Sequence, residues 1–304
     1  MHMPDSHQSA AHTRLAYLLL TLTALFWAGN AIVGRALHSS VQPVTLAFWR
    51  WALAALFLLP FTWKHLRRDW RTLARHWPVM LGLSLLGISS FNTILYHAAH
   101  TTTATNIALI QTALPAMILL LGFLLFGERV SRLGLLGMAL TIGGAVITVI
   151  HGDLAFLRAA RFVSGDIWML AAVFLYALYS VLLRKAPRVH ALSFLTATFI
   201  VGAAALLPLY VWEWHEFGAP ILTTGLIAGA LYVAVFPSIF AYLFWNHGVA
   251  TVGAGTTGLF NCLIPVFAAV LAFAFLGEHL YAYHVIGLAL IVAGFLLFSR
   301  SRRG

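Results

Sequence analysis

The chain has 304 residues, of which 62% are hydrophobic and 9% charged, with a formal net charge of +10. An ordinary soluble domain carries about 25% charged residues, so a water-soluble globular protein is excluded. The single cysteine, Cys262, excludes a disulfide framework and a cysteine metal site.

Apolar runs of about 20 residues read as membrane-spanning helices, because a helix satisfies its own backbone groups inside lipid. The polar stretch at residues 1–14 is expected to be a disordered tail. The first predicted helix, 15–37, is longer than a signal-peptide core and no small-residue cleavage site follows it, so it is expected to be retained. Trp27, Asn30 and Gly34 share one of its faces. The second helix, 44–63, carries Arg50 about one and a half turns in. Snorkelling to lipid headgroups accounts for that arginine, and attraction of a substrate carboxylate is the alternative. On the third helix, 78–98, Asn92 and Tyr96 stand four residues apart on one face, with His97 and His100 at its end. Two histidines without a carboxylate make a poor metal site and read as interfacial residues.

The fourth helix, 102–126, has Pro115 near its middle, which leaves the carbonyl of Gln111 without its helical donor. The fifth, 132–150, carries Gly134, Gly137 and Gly144, which permit close helix approach. A linker, 151–164, leads to the sixth helix, 165–184, where Tyr176, Tyr179 and Ser180 share a face. The seventh spans 191–212, and the eighth, 221–246, aligns Ser238, Tyr242 and Asn246, with His247 just beyond. In the ninth, 252–276, Pro265 frees the carbonyl of Asn261. The tenth, 281–299, repeats the glycines at Gly287 and Gly294 and is followed by a short tail, 300–304.

With the N-terminus placed in the cytoplasm, 14 of the 18 Lys and Arg fall on the cytoplasmic side, leaving Arg35, Arg50, Arg158 and Arg161. The positive-inside rule therefore predicts two cytoplasmic termini. The basic charge is a topology signal, and no nucleic-acid partner is expected.

Shifting the first half by 150 residues superposes Pro115 on Pro265, Gly127-Glu128 on Gly277-Glu278, Gly137 and Gly144 on Gly287 and Gly294, Gln111 on Asn261 and His97 on His247. Near the start a shift of 149 brings Arg35 onto Arg184. The predicted fold is an all-α integral membrane protein whose ten transmembrane helices form a 5+5 inverted-topology repeat. Repeat one covers 15–150 and repeat two covers 165–299. Five is odd, so the second copy enters the membrane from the opposite side. That is the architecture of an alternating-access transporter. The proline pair reads as two hinges, and helices five and ten read as a peripheral brace.

The motifs "GERVSRLGLLGMALTIGGAVI" at 127–147 and "GEHLYAYHVIGLALIVAGFLL" at 277–297, with "LFWAGNAIVGR" at 25–35 and "TLAFWRWALAALFLLP" at 45–60, resemble the drug/metabolite transporter superfamily, EamA type. The resemblance spans essentially the whole chain and is strongest to bacterial exporters of aromatic and other neutral amino acids. It implies a multi-pass protein of the bacterial inner membrane. Small multidrug antiporters of the same superfamily resemble half of this chain and use a membrane-embedded glutamate for proton exchange. All eight acids here can be placed outside the apolar cores, so facilitated, gradient-driven efflux is expected.

The candidate substrate-binding set is Trp27, Asn30, Asn92, Tyr96, Gln111, Tyr176, Tyr179, Tyr242, Asn246 and Asn261, with Pro115 and Pro265 as hinges. These residues are expected to enclose one aromatic-walled, uncharged cavity, with the two freed carbonyls facing it. Taken singly, each also fits ordinary helix packing. The leading expectation is export of neutral, aromatic or apolar amino acids. Export of other metabolites or drugs is an alternative, and a sugar phosphate fits poorly because deep Lys/Arg pairs are missing. A lipid-modifying membrane enzyme would need an acid/base or metal cluster, and no such spacing occurs. No phosphate-binding loop is present, no cofactor or metal is expected, and a monomer in contact with membrane lipid is the expected state.

Overall fold

The structure is a computed structural model that describes residues 6–37, 40–102, 104–153, 155, 163–276 and 279–301. The repeat landmarks Gly277 and Glu278, the side chain of Arg35, and Arg158, Arg161, Arg302 and Arg303 lie outside this description.

Ten long apolar helices fill the described chain. They are α1 (Ser6–Leu37), α2 (Pro43–Arg75), α3 (Trp77–Ala98), α4 (Ala104–Gln111 and Leu114–Phe126) and α5 (Arg132–Val149) in the first half. The second half has α6 (Ser164–Leu182), α7 (Ala191–Phe217), α8 (Thr224–Val252), α9 (Ala254–Leu259 and Ile264–Leu276) and α10 (Ala282–Ser301). Large apolar side chains on the outer surface, such as Leu56, Phe61, Leu124 and Ile200, form the lipid-facing band. Exposed tryptophans near the helix ends, Trp70 and Trp77 at one face and Trp212 and Trp214 at the other, mark its edges.

Two expected boundaries are corrected. Residues 6–14, expected to be a disordered tail, belong to α1, where Ala10 and Ala11 favour helix and no Gly or Pro interrupts it. Likewise α2 does not stop near residue 63. Its basic extension stays helical because Leu73 is buried and the Asp69 carboxylate accepts the His190 backbone N–H at 3.0 Å. The His65 and His190 rings stack there, 3.9 Å apart.

The main helix contacts run between the halves rather than within them: α1 on α8 and α9, α2 on α7, α3 on α6, α4 on α6 and α9, and α5 on α10. Exchanging the two halves maps this set onto itself. In the outer pair, α5 meets α10 at Gly137 against Gly294 and Gly144 against Gly287. A Cβ on Gly137 would sit 2.6 Å from the Gly294 carbonyl oxygen, so only glycine permits this approach. The expected glycine stripe is thus spent on packing the two halves together.

Irregularities also repeat. A π-helical stretch interrupts α3 at Ser84–Ser90 and another interrupts α8 at Val235–Phe240. Broken turns precede the prolines, at residues 112–113 in α4 and as a 3₁₀ turn at Phe260–Leu263 in α9. An offset of about 150 relates both pairs. Such interruptions cost hydrogen bonds and in membranes are tolerated where backbone lines a cavity or is buried in protein.

Candidate functional site

All four interrupted helices meet at a cavity of about 1030 Å³ that reaches the middle of the bundle. Its mouth is formed by Leu37, Val41 and Pro43 from the α1–α2 corner, by His100 and Thr102 after α3, by His151 after α5, and by Tyr281, Tyr283 and His284 near the start of α10. The Pro43 end of α2 lies at this mouth, so the basic end of α2 points to the opposite face.

Arg50 lies at the inner end of the cavity. Its side chain is 1% exposed and makes no headgroup contact, so the snorkelling expectation is corrected. Helix α2 is packed against α7 on this stretch, and neutral acceptors surround the guanidinium. Nε donates to Ser238 Oγ at 2.6 Å. Nη1 lies within bonding distance of Asn30 Oδ1 (3.0 Å), Asn92 Oδ1 (2.8 Å) and the Tyr96 hydroxyl (3.1 Å). Nη2 donates to the Pro237 carbonyl at 2.9 Å. Tyr96 also donates to Asn30 at 3.2 Å. Among the described lining residues none is Asp or Glu, so this cation has no carboxylate partner there.

The π-helical stretches explain part of this geometry. Pro237 cannot donate to the Val233 carbonyl, and the Ser238 hydroxyl does so instead at 2.6 Å. The widened turn turns the Pro237 carbonyl inward, where Trp27 Nε1 (3.1 Å) and Arg50 both reach it. At the position 150 residues earlier, the Gly87 carbonyl accepts the Tyr242 hydroxyl at 2.5 Å. Each half thus offers one π-helical carbonyl to a side chain of the other half. These carbonyls were not expected from sequence, although Pro237 in mid-helix and the 150-residue offset to Gly87 were the available signals.

Of the candidate residues, Trp27, Asn30, Asn92, Tyr96, Gln111, Tyr176, Tyr242, Asn261 and Pro265 line the cavity. Tyr179 and Asn246 do not line it. They close its floor, with the Tyr179 hydroxyl donating to Asn246 Oδ1 at 2.9 Å, and Asn246 lines a second cavity of about 720 Å³ on the far side. Trp245 Nε1 donates to Ser180 Oγ at 3.2 Å beside them. Rings of Trp27, Tyr176, Tyr179, Tyr242 and Trp245 pack within 5.0–6.1 Å of their neighbours as an aromatic plug between the cavities. Pro115 is buried beside Gly258 of α9 rather than in the cavity wall.

The breaks before the prolines form as expected, but the freed carbonyls do not face the cavity unbonded. The Gln111 carbonyl accepts from Asn261 Nδ2 at 3.0 Å, and the Asn261 carbonyl accepts the Ile264 N–H within the 3₁₀ turn. An unpaired buried carbonyl costs about 1–3 kcal/mol, and these two bonds remove that cost. The under-satisfied groups beside the cavity are of the opposite polarity. Asn92 Nδ2 and the Tyr176 hydroxyl, in side chains 2% and 1% exposed, make no close hydrogen bond and share the Tyr242 hydroxyl as their one polar neighbour.

The far side is held shut by contacts between the halves. Gly127, at φ 67°, ends α4 in the left-handed region, and Glu128 then pairs with Arg184 at the end of α6. The Arg184 guanidinium also lies 4.1 Å from the centre of the Phe126 ring.

The EamA-like transporter family model matches the chain twice, over residues 14–150 and 163–300. A protein of Archaeoglobus fulgidus named as an uncharacterized transporter is 31% identical over 92% of this chain and 96% of its own length. The transporter YyaM of Bacillus subtilis is 26% identical over 93% of each chain. A probable terminal-alkyne amino-acid exporter of Streptantibioticus cattleyicolor is 29% identical over 77% of each chain. A solved crystal structure superposes with a TM-score of 0.76 over 95% of this chain and 98% of its own at 19% identity, which concerns the fold alone.

Proposed function

The chain belongs to the EamA-like transporter family, and from that premise we propose that it exports neutral amino acids with aromatic or apolar side chains by alternating access. The observation that carries this reading is the cavity itself. Both halves build it, it reaches mid-membrane, and it opens to one face while the aromatic floor separates it from the second cavity at the opposite face. Its volume of about 1030 Å³ is ample for one amino acid, since small-ligand sites run to roughly 1,000 Å³. Trp27, Phe91, Tyr176 and Tyr242 supply an aromatic wall, while the side-chain amides of Gln111 and Asn261 supply oxygens for an ammonium group. The amino-acid exporter among the relatives supports the substrate class.

The bias of Lys and Arg puts the basic face in the cytoplasm, so the open mouth is periplasmic and both termini are cytoplasmic. Five helices per half then make the repeat inverted. Exchanging the conformations of the two halves would close the mouth and join the binding cavity to the far one.

The test is flux of radiolabelled neutral amino acids from proteoliposomes. Saturable flux down the amino-acid gradient, without an imposed proton gradient, is expected. Flux that requires a pH gradient overturns the facilitated mechanism. Absence of flux for every neutral amino acid, beside transport of another metabolite, overturns the substrate class.

A further inference from the structure

We propose that Arg50 is the carboxylate anchor of the cavity, so that the transported molecule must carry a carboxylate bound by Arg50, Asn92 and Tyr176. The proposal deepens the transporter reading and rests on the cavity being the substrate site.

Three observations carry it. First, Arg50 is 1% exposed and, among the described residues that line the cavity, has no acidic partner. A guanidinium in a low-dielectric site without a counter-charge is costly even when hydrogen-bonded to neutral groups. A ligand that brings a negative charge relieves that cost, whereas an amine adds to it. Second, the hydrogen-bonding inventory is unbalanced. The Gln111, Asn261 and Pro237 carbonyls and the Oδ1 atoms of Asn30 and Asn92 are already engaged as acceptors. Asn92 Nδ2 and the Tyr176 hydroxyl make no close hydrogen bond and have only the Tyr242 hydroxyl to share, and Nη2 of Arg50, which has two hydrogens, donates to Pro237. A group that accepts several hydrogen bonds and donates none fits this set, and a carboxylate is that group. Third, the neutral acceptors around Arg50 come from α1, α3 and α8 and hold its fork in one orientation. Arginine is suited to such planar recognition, which a lysine ammonium would not reproduce.

The anchor also fits the zwitterion. With the carboxylate at Arg50, the ammonium group is left to the side-chain oxygens of Gln111 and Asn261, and the apolar side chain to Trp27 and Phe91.

The experiment measures binding of four compounds sharing one phenyl group to the purified full-length protein in lipid nanodiscs. They are L-phenylalanine, L-phenylalaninamide, 2-phenylethylamine and 3-phenylpropionate. The two carboxylates are expected to bind at least tenfold more tightly than the amide and the amine. Arg50→Gln is expected to lower carboxylate affinity by about 10–100-fold, the range covered by one lost hydrogen bond to a charged group. It should not weaken amide or amine binding and should strengthen the amine, whose positive charge no longer faces the guanidinium. Should Arg50→Gln fail to fold, Tyr176→Phe deletes one oxygen that makes no close hydrogen bond in the protein. It should weaken both carboxylates relative to the amide. Equal binding of all four compounds to the wild type, or binding of neither carboxylate, overturns the proposal, and a purely structural arginine gives the first of these results. Binding of 3-phenylpropionate but not phenylalanine upholds the anchor and overturns the amino-acid reading instead.

Discussion

A carboxylate at the end of one helix can serve the N-terminus of another, and Glu213 of α7 does this for α2. Gln42, the residue before α2, provides no side-chain cap. The Glu213 carboxylate instead accepts from the backbone N–H groups of Val44 (3.1 Å) and Thr45 (2.6 Å) and from the Thr45 hydroxyl (2.8 Å), while only 4% exposed. Orphan N–H groups and the positive end of the helix both favour an anion there. Asp166 plays a comparable part at α6, accepting from the Val163 N–H at 3.0 Å and from Thr102 across the gap to α4. These acids lie outside the apolar cores, as the sequence implies, yet they are buried in protein and fully engaged. Glu213→Leu should therefore destabilise the protein by about 1–2 kcal/mol, the scale of a lost cap. Glu213→Gln, which keeps an acceptor oxygen, should cost less, and thermal unfolding in one detergent compares the two. Tyr176→Phe should do the reverse and leave unfolding unchanged or raise its midpoint, because it removes a buried hydroxyl that makes no close hydrogen bond. A clear loss of stability would mean that this hydroxyl is bonded within the fold.

Interrupted helices are where sequence reading succeeded and also where it fell short. Proline breaks are legible because the missing N–H is a covalent fact, and α4 and α9 do break just before Pro115 and Pro265. Where the released carbonyls go is set by neighbouring chains, which local sequence does not encode. The π-helical stretch at Ser84–Ser90 has no proline at all and follows from packing against α6 and α7. Arg50 was visible, but its burial depends on Asn30, Asn92 and Ser238 converging from three other helices. Periodicity along one helix says nothing of that convergence. The bond from Asn261 to the Gln111 carbonyl makes the two amides unequal despite their equivalent places in the repeat. Asn261→Leu should cost about 1–3 kcal/mol by leaving that carbonyl unpaired, whereas Gln111→Leu leaves both donor and acceptor of the bond in place and should cost less. Equal losses would assign both amides to general packing. Pro115→Ala or Pro265→Ala should lower the turnover rate more than the apparent affinity, since a mended helix resists the bending that exchange requires. Initial-rate flux against concentration separates the two effects.

On the scale of the whole molecule, the halves interdigitate so completely that neither can rearrange without its partner. The contacts α1–α8 and α3–α6 are exchanged by swapping the halves, as expected if one conformation of the assembly has a mirror counterpart. In the conformation described, the far face is closed by the Tyr179–Asn246 bond, by the aromatic plug and by the Glu128–Arg184 pair. The first two are buried and belong to the floor of the main cavity. The ion pair lies at the rim, with its side chains 38% and 30% exposed, so solvent screening limits it to roughly 1 kcal/mol or less. A term of that size cannot lock a conformation, but it can bias one by up to about fivefold. Glu128→Gln and Arg184→Gln should therefore raise the fraction of molecules open on the far face without disturbing folding. Cys262 is fully buried, so a cysteine placed at Val189, in the wall of the far cavity, can be read over a quiet background. Its labelling by a membrane-impermeant thiol reagent, added from the cytoplasmic side of inverted vesicles, should quicken two- to fivefold in either variant. The doubly exchanged protein, Glu128→Arg with Arg184→Glu, should return to the wild-type rate, because the attraction is restored with its sign reversed. Unchanged labelling in both single variants would show that the rim pair carries none of the bias and leave closure to the aromatic plug.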